Sequence, residues 1–441
     1  MRAGVDARPF DYDVAVIGGG PTGSSAATTL ARAGRSVLVV ERDVFPRFHI
    51  GESQLPWING ILERLGALEK MKTAGFVQKW GASFTTADGS ASQYADFSRA
   101  VEVPQPQTWQ VPRADFDHLL LEHARSQGAS VEYDCRADDI AFAPDGVTLT
   151  LRTAAGSRTV RAAAVVDASG RHGVIAKRFG TRVIDPLLQN IAVHAQFTGV
   201  PRAEGRRAGD IRMVTRPDRG WFWFIPISPT VMSVGVVLPK AVYNAAPRRS
   251  PEESLAGFIA EAPAAAALMA NAQPVSPARF EADFSYVHSQ LAGDRFVIAG
   301  DAGAFLDPIF STGVLLGMQA GIDAAEALDA ALAAGDLSRS RFAAYEAAVV
   351  RRYQHFRRFV VGFYDPAFRD LFFQPSGPFG TYEAVLSVLG GNWKPSLLTR
   401  LRLWYFLALV RLQRHVALAP RLWSTPDAVA AAETPLADDA R

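Results

Sequence analysis

A glycine-rich segment near the start of the chain lies between an apolar run at 13–17 and a helix-forming stretch at 24–33. Its pattern is G-x-G-x-x-G. Glycine stands where the chain must turn tightly (Gly18), where the backbone must approach a pyrophosphate (Gly20), and where a helix must pack on a strand (Gly23). The free N–H groups of the helix N-terminus would then face the phosphates. This segment predicts a dinucleotide site.

The next apolar run, 36–40, ends at Glu41, which follows Gly23 by 18 residues. A carboxylate at the end of a second strand can accept a hydrogen bond from a ribose hydroxyl. With a strand before the glycines and a helix after them, this acid predicts a βαβ unit with a parallel sheet.

Apolar patterning assigns further elements along the chain. Alternation in the middle of the chain predicts an antiparallel sheet with one covered face. Residues 313–333 predict a helix, and the stretch 342–412 has helical periodicity. The further strands are expected at 160–166, 190–197, 223–227, 232–237 and 295–298.

Composition excludes several classes of function. A net charge of +2 is too small to favour nucleic acid as the main partner. A single cysteine, Cys135, allows neither an intrachain disulfide nor a cysteine metal cluster, and the eight histidines lack metal-ligand spacing. With no apolar run long enough to span a membrane and no secretory pattern before residue 12, a cytoplasmic protein without stable membrane insertion or a bound metal is expected.

Two segments resemble motifs of the flavoprotein hydroxylases. Residues 294–303 (DRFVIAGDAG) are similar to the second FAD motif of that group, and 165–170 (VVDASG) to its third conserved segment. The resemblance implies that Asp301 binds the ribityl chain, and that Arg47 and Arg113 lie close to the cofactor. The cofactor is therefore expected to be FAD.

The implied fold is α/β: a Rossmann-type FAD-binding module with an antiparallel substrate-side sheet and a C-terminal helical region. We expect the module over 1–335, its substrate-side sheet at about 190–285, helices over 336–427 and a disordered tail at 428–441. Since the sequence has no second G-x-G-x-x-G, reduced FAD is expected from a partner flavin reductase, or nicotinamide docks transiently.

Residues 221–226 (WFWFIP) match the W-x-W-x-I-P signature of flavin-dependent halogenases. Trp221 and Trp223 are two residues apart on a strand, so their indoles point to the same side. The resemblance implies that they line the flavin region and keep the organic substrate away from the reactive flavin. The alternative is an aromatic pair in the core of a sheet.

Residues 305–313 (FLDPIFSTG) resemble the halide segment of that family. This segment comes at the start of a helix, where N–H groups around Ser311, Thr312 and Gly313 can face an anion. Asp307 matches the position at which some relatives attach FAD covalently. The alternative for Asp307 is a carboxylate that satisfies free N–H groups at a helix start.

Lys79, in GFVQKWG at 75–81, stands in the context of the family's active-site lysine. Its ammonium can donate a hydrogen bond to hypohalous acid, or its neutral amine can form a haloamine. Flanking aromatic residues would desolvate the amine and lower its pKa. Without the other motifs, Lys79 would be assigned to the solvated surface.

The resemblance implies that reduced FAD, oxygen and chloride or bromide form hypohalous acid, which Lys79 directs onto an electron-rich aromatic or polyketide group. Tryptophan halogenases carry Glu before the Ser-Thr-Gly, where this chain has Phe310, so free tryptophan is not the expected substrate. The sequence is more similar to the branch that acts on phenolic, pyrrolic or polyketide groups, often on an acyl or peptidyl carrier protein.

The region 339–421 contains 13 Lys/Arg and 4 Asp/Glu. It is either a solvated basic face or a docking surface for an acidic carrier, which charge reversal at Arg351, Arg352, Arg357 and Arg358 would test. Rival functions are an aromatic hydroxylase, a prenyl reductase or a non-catalytic flavin-binding partner protein. His49, beside the Arg47 segment, is either a packed core histidine or a contact to the cofactor or a proton carrier.

Overall fold

The computed structural model of the chain describes residues 10–247 and 249–423, with the backbone alone at 283 and 284. The tail expected at 428–441 lies outside these residues. The strands are β1 (Tyr12–Ile17), β2 (Val37–Val40), β3 (Val77–Lys79), β4 (Gly81–Thr86), β5 (Ser92–Asp96), β6 (Thr108–Gln110), β7 (Ser130–Glu132), β8 (Arg136–Ala143), β9 (Gly146–Thr153), β10 (Gly156–Asp167), β11 (Arg182–Thr198), β12 (Ile211–Thr215), β13 (Trp221–Pro226), β14 (Met232–Pro239), β15 (Gln273–Pro274), β16 (Arg279–His288), β17 (Ala292–Gly293), β18 (Phe296–Ile298) and β19 (Ala304–Phe305).

Helices separate and follow these strands. The α-helices are α1 (Pro21–Arg32), α2 (Ile58–Leu65), α3 (Leu68–Thr73), α4 (Arg113–Ser126), α5 (Ala176–Phe179), α6 (Lys240–Ala245), α7 (Pro251–Ala260), α8 (Pro263–Met269), α9 (Gly313–Ala333), α10 (Ala343–Phe363), α11 (Pro366–Phe372), α12 (Thr381–Leu389) and α13 (Leu397–Gln413). The short 3-10 turns are Phe97–Arg99, Gly170–His172, Gly205–Gly209, Gly300–Ala302, Pro308–Phe310, Arg339–Phe342 and Pro378–Gly380.

The described chain forms two compact units, each built from three segments. The first unit comprises the described parts of Met1–Val77, Thr108–Pro186 and Phe284–Arg357. The second comprises the described parts of Gln78–Gln107, Leu187–Asp283 and Arg358–Arg441.

The first unit contains the sheet that the glycine-rich segment predicts. Its strand order is β17-β18-β10-β1-β2-β7, and the run from β18 to β7 is parallel. Strands β9 and β8 continue antiparallel from β10. In the predicted βαβ unit, Val14 of β1 pairs with Val37 of β2. The α/β fold and the parallel βαβ unit are confirmed.

Helix α1 begins at Pro21, so the expected start at Ser24 was three residues late. Proline suits the first helical position because its missing N–H would have had no partner in the helix. Helix α1 packs on α4 and, more extensively, on α9. A Cβ at Gly321 of α9 would overlap the carbonyl oxygen of Thr22, so a residue without a side chain lets the two helices come this close.

The second unit contains strands in the order β11-β14-β13-β12-β4-β5. The pairs are antiparallel, as expected, except that β12 runs parallel to β4. The expectation of one covered face was wrong for β13 and β14, which are buried along both faces. Apolar residues of α7 and α8, among them Leu255, Phe258 and Ala265, join one hydrophobic cluster with these strands.

Helices occupy the region predicted to be helical, from α10 to α13. Phe368 of α11 packs edge-on against Phe406 of α13, with ring centroids 5.0 Å apart. On α10, Arg352 forms an ion pair with Asp323, and Arg357 forms one with Asp185. Reversing the charge of either arginine would therefore break an ion pair within the chain, so these two positions are unsuitable for testing a docking surface.

Candidate functional site

The glycine-rich turn of the first unit is shaped by contacts within the turn. A Cβ on Gly23 would overlap the carbonyl oxygen of Gly18, so a larger residue at position 23 cannot be accommodated without moving the backbone. The carboxylate of Glu41 accepts the Gly19 N–H at 2.6 Å and the Asp43 N–H at 2.9 Å. Glu41 therefore closes the turn against the end of β2, and its remaining lone pairs are available to a ribose hydroxyl.

The residues of this turn fit an adenine dinucleotide. No side chain caps the N-terminus of α1, so first-turn N–H groups remain for an anion. Within 4 Å, a Cβ at Gly20 would meet only the Arg47 guanidinium, at 3.6 Å, so the backbone of the turn is open to a ligand on this side. Backbone donors with a guanidinium beside them suit a pyrophosphate.

A buried carboxylate that the sequence analysis did not identify holds both predicted arginines. Asp117, which is fully buried, accepts two hydrogen bonds from Arg113 at 2.7 and 2.9 Å and one from Arg47 at 2.6 Å. Burial raises the pKa of Asp117, but Arg113 and Arg47 outweigh burial and hold it below its usual value. The available signal was the i,i+4 spacing of Arg113 and Asp117 on α4.

His49 lies beside this pair. Its Nδ1 donates to the Ile50 carbonyl at 2.7 Å, and Arg113 donates to the same carbonyl at 2.7 Å. Burial, aided by the charge of Arg113, lowers the pKa of His49 to about 4. The ring is therefore neutral at physiological pH, as a packed histidine would be.

Asp301 stands in the 3-10 turn Gly300–Ala302 that follows β18. Burial raises the pKa of its carboxyl to about 6, while Arg171 and Arg113 oppose this rise. The Tyr286 hydroxyl donates to the backbone carbonyl of Asp301 at 2.6 Å and fixes the turn. A desolvated carboxylate favours partners that donate hydrogen bonds, which the hydroxyls of a ribityl chain can do.

The N-terminus of α9 has the features of an anion site. Thr312, fully buried, precedes the helix, and its hydroxyl has no hydrogen-bond partner among the described residues. A Cβ at Gly313 would meet no atom within 4 Å, so there is open space beside the first turn. Ser311 adopts a left-handed conformation, with φ of 56°, and turns the chain into the helix.

Asp307 acts as a cap in the structure. Its carboxylate accepts the Ile309 N–H at 3.0 Å, and its own N–H donates to the Ser285 hydroxyl at 2.9 Å. These contacts correspond to the capping alternative, and the covalent attachment of a flavin stays a prediction.

The two tryptophans lie in the second unit, on β13. Trp221 and Trp223 are 3% and 5% exposed, and their ring centroids are 6.0 Å apart. The Trp221 indole N–H donates to the Tyr364 hydroxyl at 3.0 Å, and the Trp223 N–H donates to Ser233 Oγ at 3.2 Å. Both N–H groups are satisfied, so what the indoles offer a neighbour is their apolar rings.

Lys79 is buried in the second unit, with 1% of its surface exposed. Its ammonium lies 5.3 Å from the ring centroid of Phe97, a contact that the sequence did not predict. Burial lowers the pKa of Lys79 to about 7, although the charge of Asp210 opposes this shift. An amine with this pKa exists in both charged and neutral forms near neutral pH.

Asp210 organises the surroundings of Lys79 and was also missed in the sequence. One carboxylate oxygen accepts the backbone N–H groups of Trp80 and Gly81, at 2.6 and 2.9 Å. The other accepts the Tyr94 hydroxyl at 2.8 Å. Burial and the Asp210 carboxylate raise the pKa of Tyr94, so this hydroxyl keeps its proton.

The structure thus divides the predicted site residues between the units. Within the first unit, the charge of Arg113 lowers the pKa of Asp301. Gly51 lies between Arg113 and Val314 of α9, because a Cβ on Gly51 would contact both side chains. The predicted cofactor and halide residues belong to the first unit, whereas Lys79, Trp221 and Trp223 belong to the second. Across the described residues, no group of His, Cys, Asp and Glu could hold a metal ion, and no helix is long and apolar enough to cross a membrane.

Comparison with known proteins identifies several relatives. Residues 11–360 match the family model described as FAD binding domain. A 1H-pyrrole-2-carbonyl-[peptidyl-carrier protein] chlorinase of Pseudomonas fluorescens is 34% identical, over 80% of this chain and 84% of the relative. The flavin-dependent halogenase armH3 of Armillaria mellea is 36% identical, over 81% of this chain and 75% of that protein.

The chain is also similar to a solved structure of a flavin-dependent brominase. The flavin-dependent brominase Bmp2 superposes with a TM-score of 0.81 at 30% identity, covering 91% of this chain and all of the brominase chain.

Proposed function

This chain belongs to the flavin-dependent halogenase family, and from that premise we propose that it oxidises halide and uses Lys79 to deliver the halogen to an electron-rich aromatic or polyketide substrate. It is an FAD-dependent enzyme that uses FAD and halide. The observation that carries the proposal for this chain is the burial of Lys79, which gives an amine with a pKa of about 7.

The first unit binds the cofactor. The α1 N-terminus with Gly18, Gly20 and Gly23 receives the pyrophosphate, and Glu41 the adenosine ribose. Asp117 orients Arg47 beside this turn and Arg113 near Asp301, which accepts from the ribityl chain. When bound, reduced FAD supplies with oxygen the oxidising equivalents that convert chloride or bromide to hypohalous acid. A separate flavin reductase delivers the reduced cofactor.

Halide binds at the start of α9. The buried Thr312 hydroxyl can donate to the anion, and the N–H groups of Gly313 and the first turn add the positive end of the helix dipole. Ser311 positions this turn. A halide needs such donors, and the Asp307 carboxylate is directed to the Ile309 N–H.

Lys79 acts on the oxidised halogen. Near neutral pH its ammonium can donate a hydrogen bond to hypohalous acid, or its neutral amine can take the halogen from hypohalous acid to form a haloamine, with the O–halogen bond broken and water released. Burial favours the neutral amine, and the charge of Asp210 partly opposes it by favouring the ammonium. Trp221 and Trp223 supply apolar rings that exclude water from the substrate side.

The substrate is an electron-rich ring or enol, and we infer that it is tethered to a carrier protein. The chlorinase relative of Pseudomonas fluorescens acts on a pyrrole-2-carbonyl group held by a peptidyl carrier protein. Phe310, which is 3% exposed, stands where tryptophan halogenases have a glutamate, and it offers no charge to an indole N–H.

The test is halogenation by the purified protein with FAD, a flavin reductase, NADH, oxygen and bromide. Mass spectrometry detects the halogen isotope pattern on a phenol or on a carrier-bound pyrrole-2-carbonyl group. Lys79→Ala is compared with wild type, and Lys72→Ala, which removes an exposed lysine, is the matched control. We expect product that requires bromide, falls at least about 100-fold in Lys79→Ala and is unchanged in Lys72→Ala.

Three results would contradict this function. Hydroxylated product without bromide dependence would identify an aromatic hydroxylase. Equal yields from Lys79→Ala and wild type would remove Lys79 from the reaction and indicate free hypohalite. If the protein with reduced FAD bound did not react with oxygen, it would be a non-catalytic flavin-binding partner.

A further inference from the structure

Helix α13 is apolar on two opposite faces. Its inner face, with Leu403, Phe406 and Val410, is buried. Its outer face carries four exposed apolar residues, spaced by four, three and eight positions along one side of the helix. They are Leu397 (72% exposed), Leu401 (56%), Trp404 (67%) and Leu412 (44%). Apolar residues that recur on an exposed helical face indicate a contact with another molecule.

Phe379 adds to this outer face and is held outward by a strained backbone. Its φ of 54° is in the left-handed region, which costs a phenylalanine about 1–3 kcal/mol, and its side chain is 80% exposed. The ring packs edge-on against Tyr405 of α13, with centroids 5.7 Å apart. A strained aromatic residue that is exposed in the free chain would gain buried area from a partner.

The charged side chains of the segment that forms this face have one sign, while Asp365 pairs with Arg414 and Glu102 accepts hydrogen bonds at the start of α13. From Lys394 to Trp423 the chain has six Lys/Arg and no Asp or Glu. Arg400 and Arg411 are exposed and flank the apolar row, at positions one turn before and two turns after Trp404. The face therefore complements an acidic partner.

Helix α13, which carries this face, belongs to the same unit as Lys79. Helix α12 packs on α13 and on the 3-10 turn Phe97–Arg99. Phe97 in that turn is the residue whose ring lies 5.3 Å from the Lys79 ammonium. Helix α12 thus connects α13 with the turn that contacts Lys79, so a carrier docked on α13 would lie on the unit that holds the lysine.

We propose that this surface, formed by Phe379, Leu397, Leu401, Trp404 and Leu412 with Arg400 and Arg411, docks the acidic carrier protein that presents the tethered substrate. The inference rests on the proposed function, since it deepens the identity of the substrate. Rigid aromatic anchors bordered by arginines are the composition that concentrates binding energy in protein interfaces.

The test measures binding of a peptidyl carrier protein whose phosphopantetheine bears pyrrole-2-carbonyl, by calorimetry with the full chain. Trp404→Asp removes the aromatic anchor, and Arg400→Glu with Arg411→Glu reverses the flanking charge. Val275→Asp, at another exposed apolar position (52%), is the control for the first variant. Arg351→Glu with Arg358→Glu, at exposed positions of α10, is the control for the second.

We expect the carrier Kd to rise at least about tenfold in both α13 variants and to stay within about twofold in both controls. Because the substituted side chains are exposed, the melting temperature and the halogenation of a free phenol should not change. These readouts separate the two ideas. Carrier binding that depends on α13 without any halogenated product would reject the proposed function and leave the docking surface standing.

Several outcomes would overturn the docking proposal. One is no carrier binding by wild type, and another is equal Kd values for wild type and both α13 variants. Weaker binding in the α10 pair alone would place the carrier on α10. If Trp404→Asp abolished binding to phosphatidylglycerol vesicles, or dissociated a dimer, while carrier affinity stayed constant, the face would belong to a membrane or to a second copy.

Discussion

The carboxylate of Asp210 holds the backbone N–H of Trp80 at 2.6 Å, and so fixes the residue that directly follows Lys79. The same carboxylate carries the negative charge that opposes desolvation of the Lys79 ammonium. One side chain therefore both holds the backbone next to the lysine and opposes the effect of burial on its protonation.

Asp210→Asn should lower the pKa of Lys79, because it removes the charge that raises this pKa while an amide oxygen can still accept the Trp80 N–H. In the pH profile of kcat/KM for halogenation, the limb that reports Lys79 should move to lower pH by about one unit. The measurement is a pH series from 5 to 9 with phenol as the acceptor.

Asp88→Asn is the matched control for this change. Asp88 also accepts local hydrogen bonds in the second unit, from Thr86 and Ser90, but it lies in an exposed turn. Its pH profile should coincide with that of wild type. Identical profiles for Asp210→Asn and wild type would show that Asp210 does not control the titration of Lys79.

The sequence was sufficient for the parts of the fold and site that local pattern determines. The glycine turn, the parallel βαβ unit and α9 follow from spacing and periodicity, and the structure confirms them. Asp210 is 131 residues from Lys79, and Phe97 contacts it from a separate turn. Such contacts depend on strand pairing between distant segments, such as β12 with β4, which no local pattern specifies.

Lys79→Met should make stability less dependent on pH. Burial lowers the pKa of Lys79 from 10.5 to about 7, so between these values the unfolded chain binds one proton more than the folded chain. The free energy of unfolding of wild type therefore rises with pH in this window. Lys79→Met lacks this rise. The free energy of unfolding of Lys79→Met minus that of wild type should therefore fall by about 2 kcal/mol between pH 7 and pH 9.

The measurement is urea unfolding of both proteins at pH 7, 8 and 9, with Lys72→Met as the control at an exposed lysine. A constant difference between Lys79→Met and wild type across this range would mean that the folded lysine titrates near its ordinary pKa.

Asp117→Asn should weaken FAD binding at least about tenfold and lower stability by about 3 kcal/mol. The change removes the charge that is shared by Arg47 and Arg113, and it leaves two poorly solvated guanidiniums without their counter-ion. Flavin fluorescence quenching and thermal unfolding measure the two effects. Asp115→Asn, at an exposed position on the same helix, should leave both unchanged.

Gly23→Ala should abolish tight FAD binding, because the added methyl group would overlap the Gly18 carbonyl and push the turn open. Gly60→Ala is the matched control, since a Cβ at this helical position meets no atom within 4 Å. It should be neutral or stabilise by up to about 1 kcal/mol. Wild-type FAD affinity in Gly23→Ala would mean that the cofactor does not use this turn.

Thr312→Val should raise the KM for bromide about tenfold while leaving the melting temperature within about 2 °C of wild type. The separation of the two effects follows from the structure. The buried Thr312 hydroxyl has no hydrogen-bond partner among the described residues, so its replacement by a methyl group of similar volume costs no internal hydrogen bond. If the hydroxyl donates to halide, however, the bound anion loses that donor.

Steady-state product formation at a series of bromide concentrations measures this KM, and Thr73→Val, at an exposed threonine, is the control. An unchanged KM for bromide would show that the halide does not bind at the start of α9. A large fall in melting temperature would instead assign the Thr312 hydroxyl to the fold.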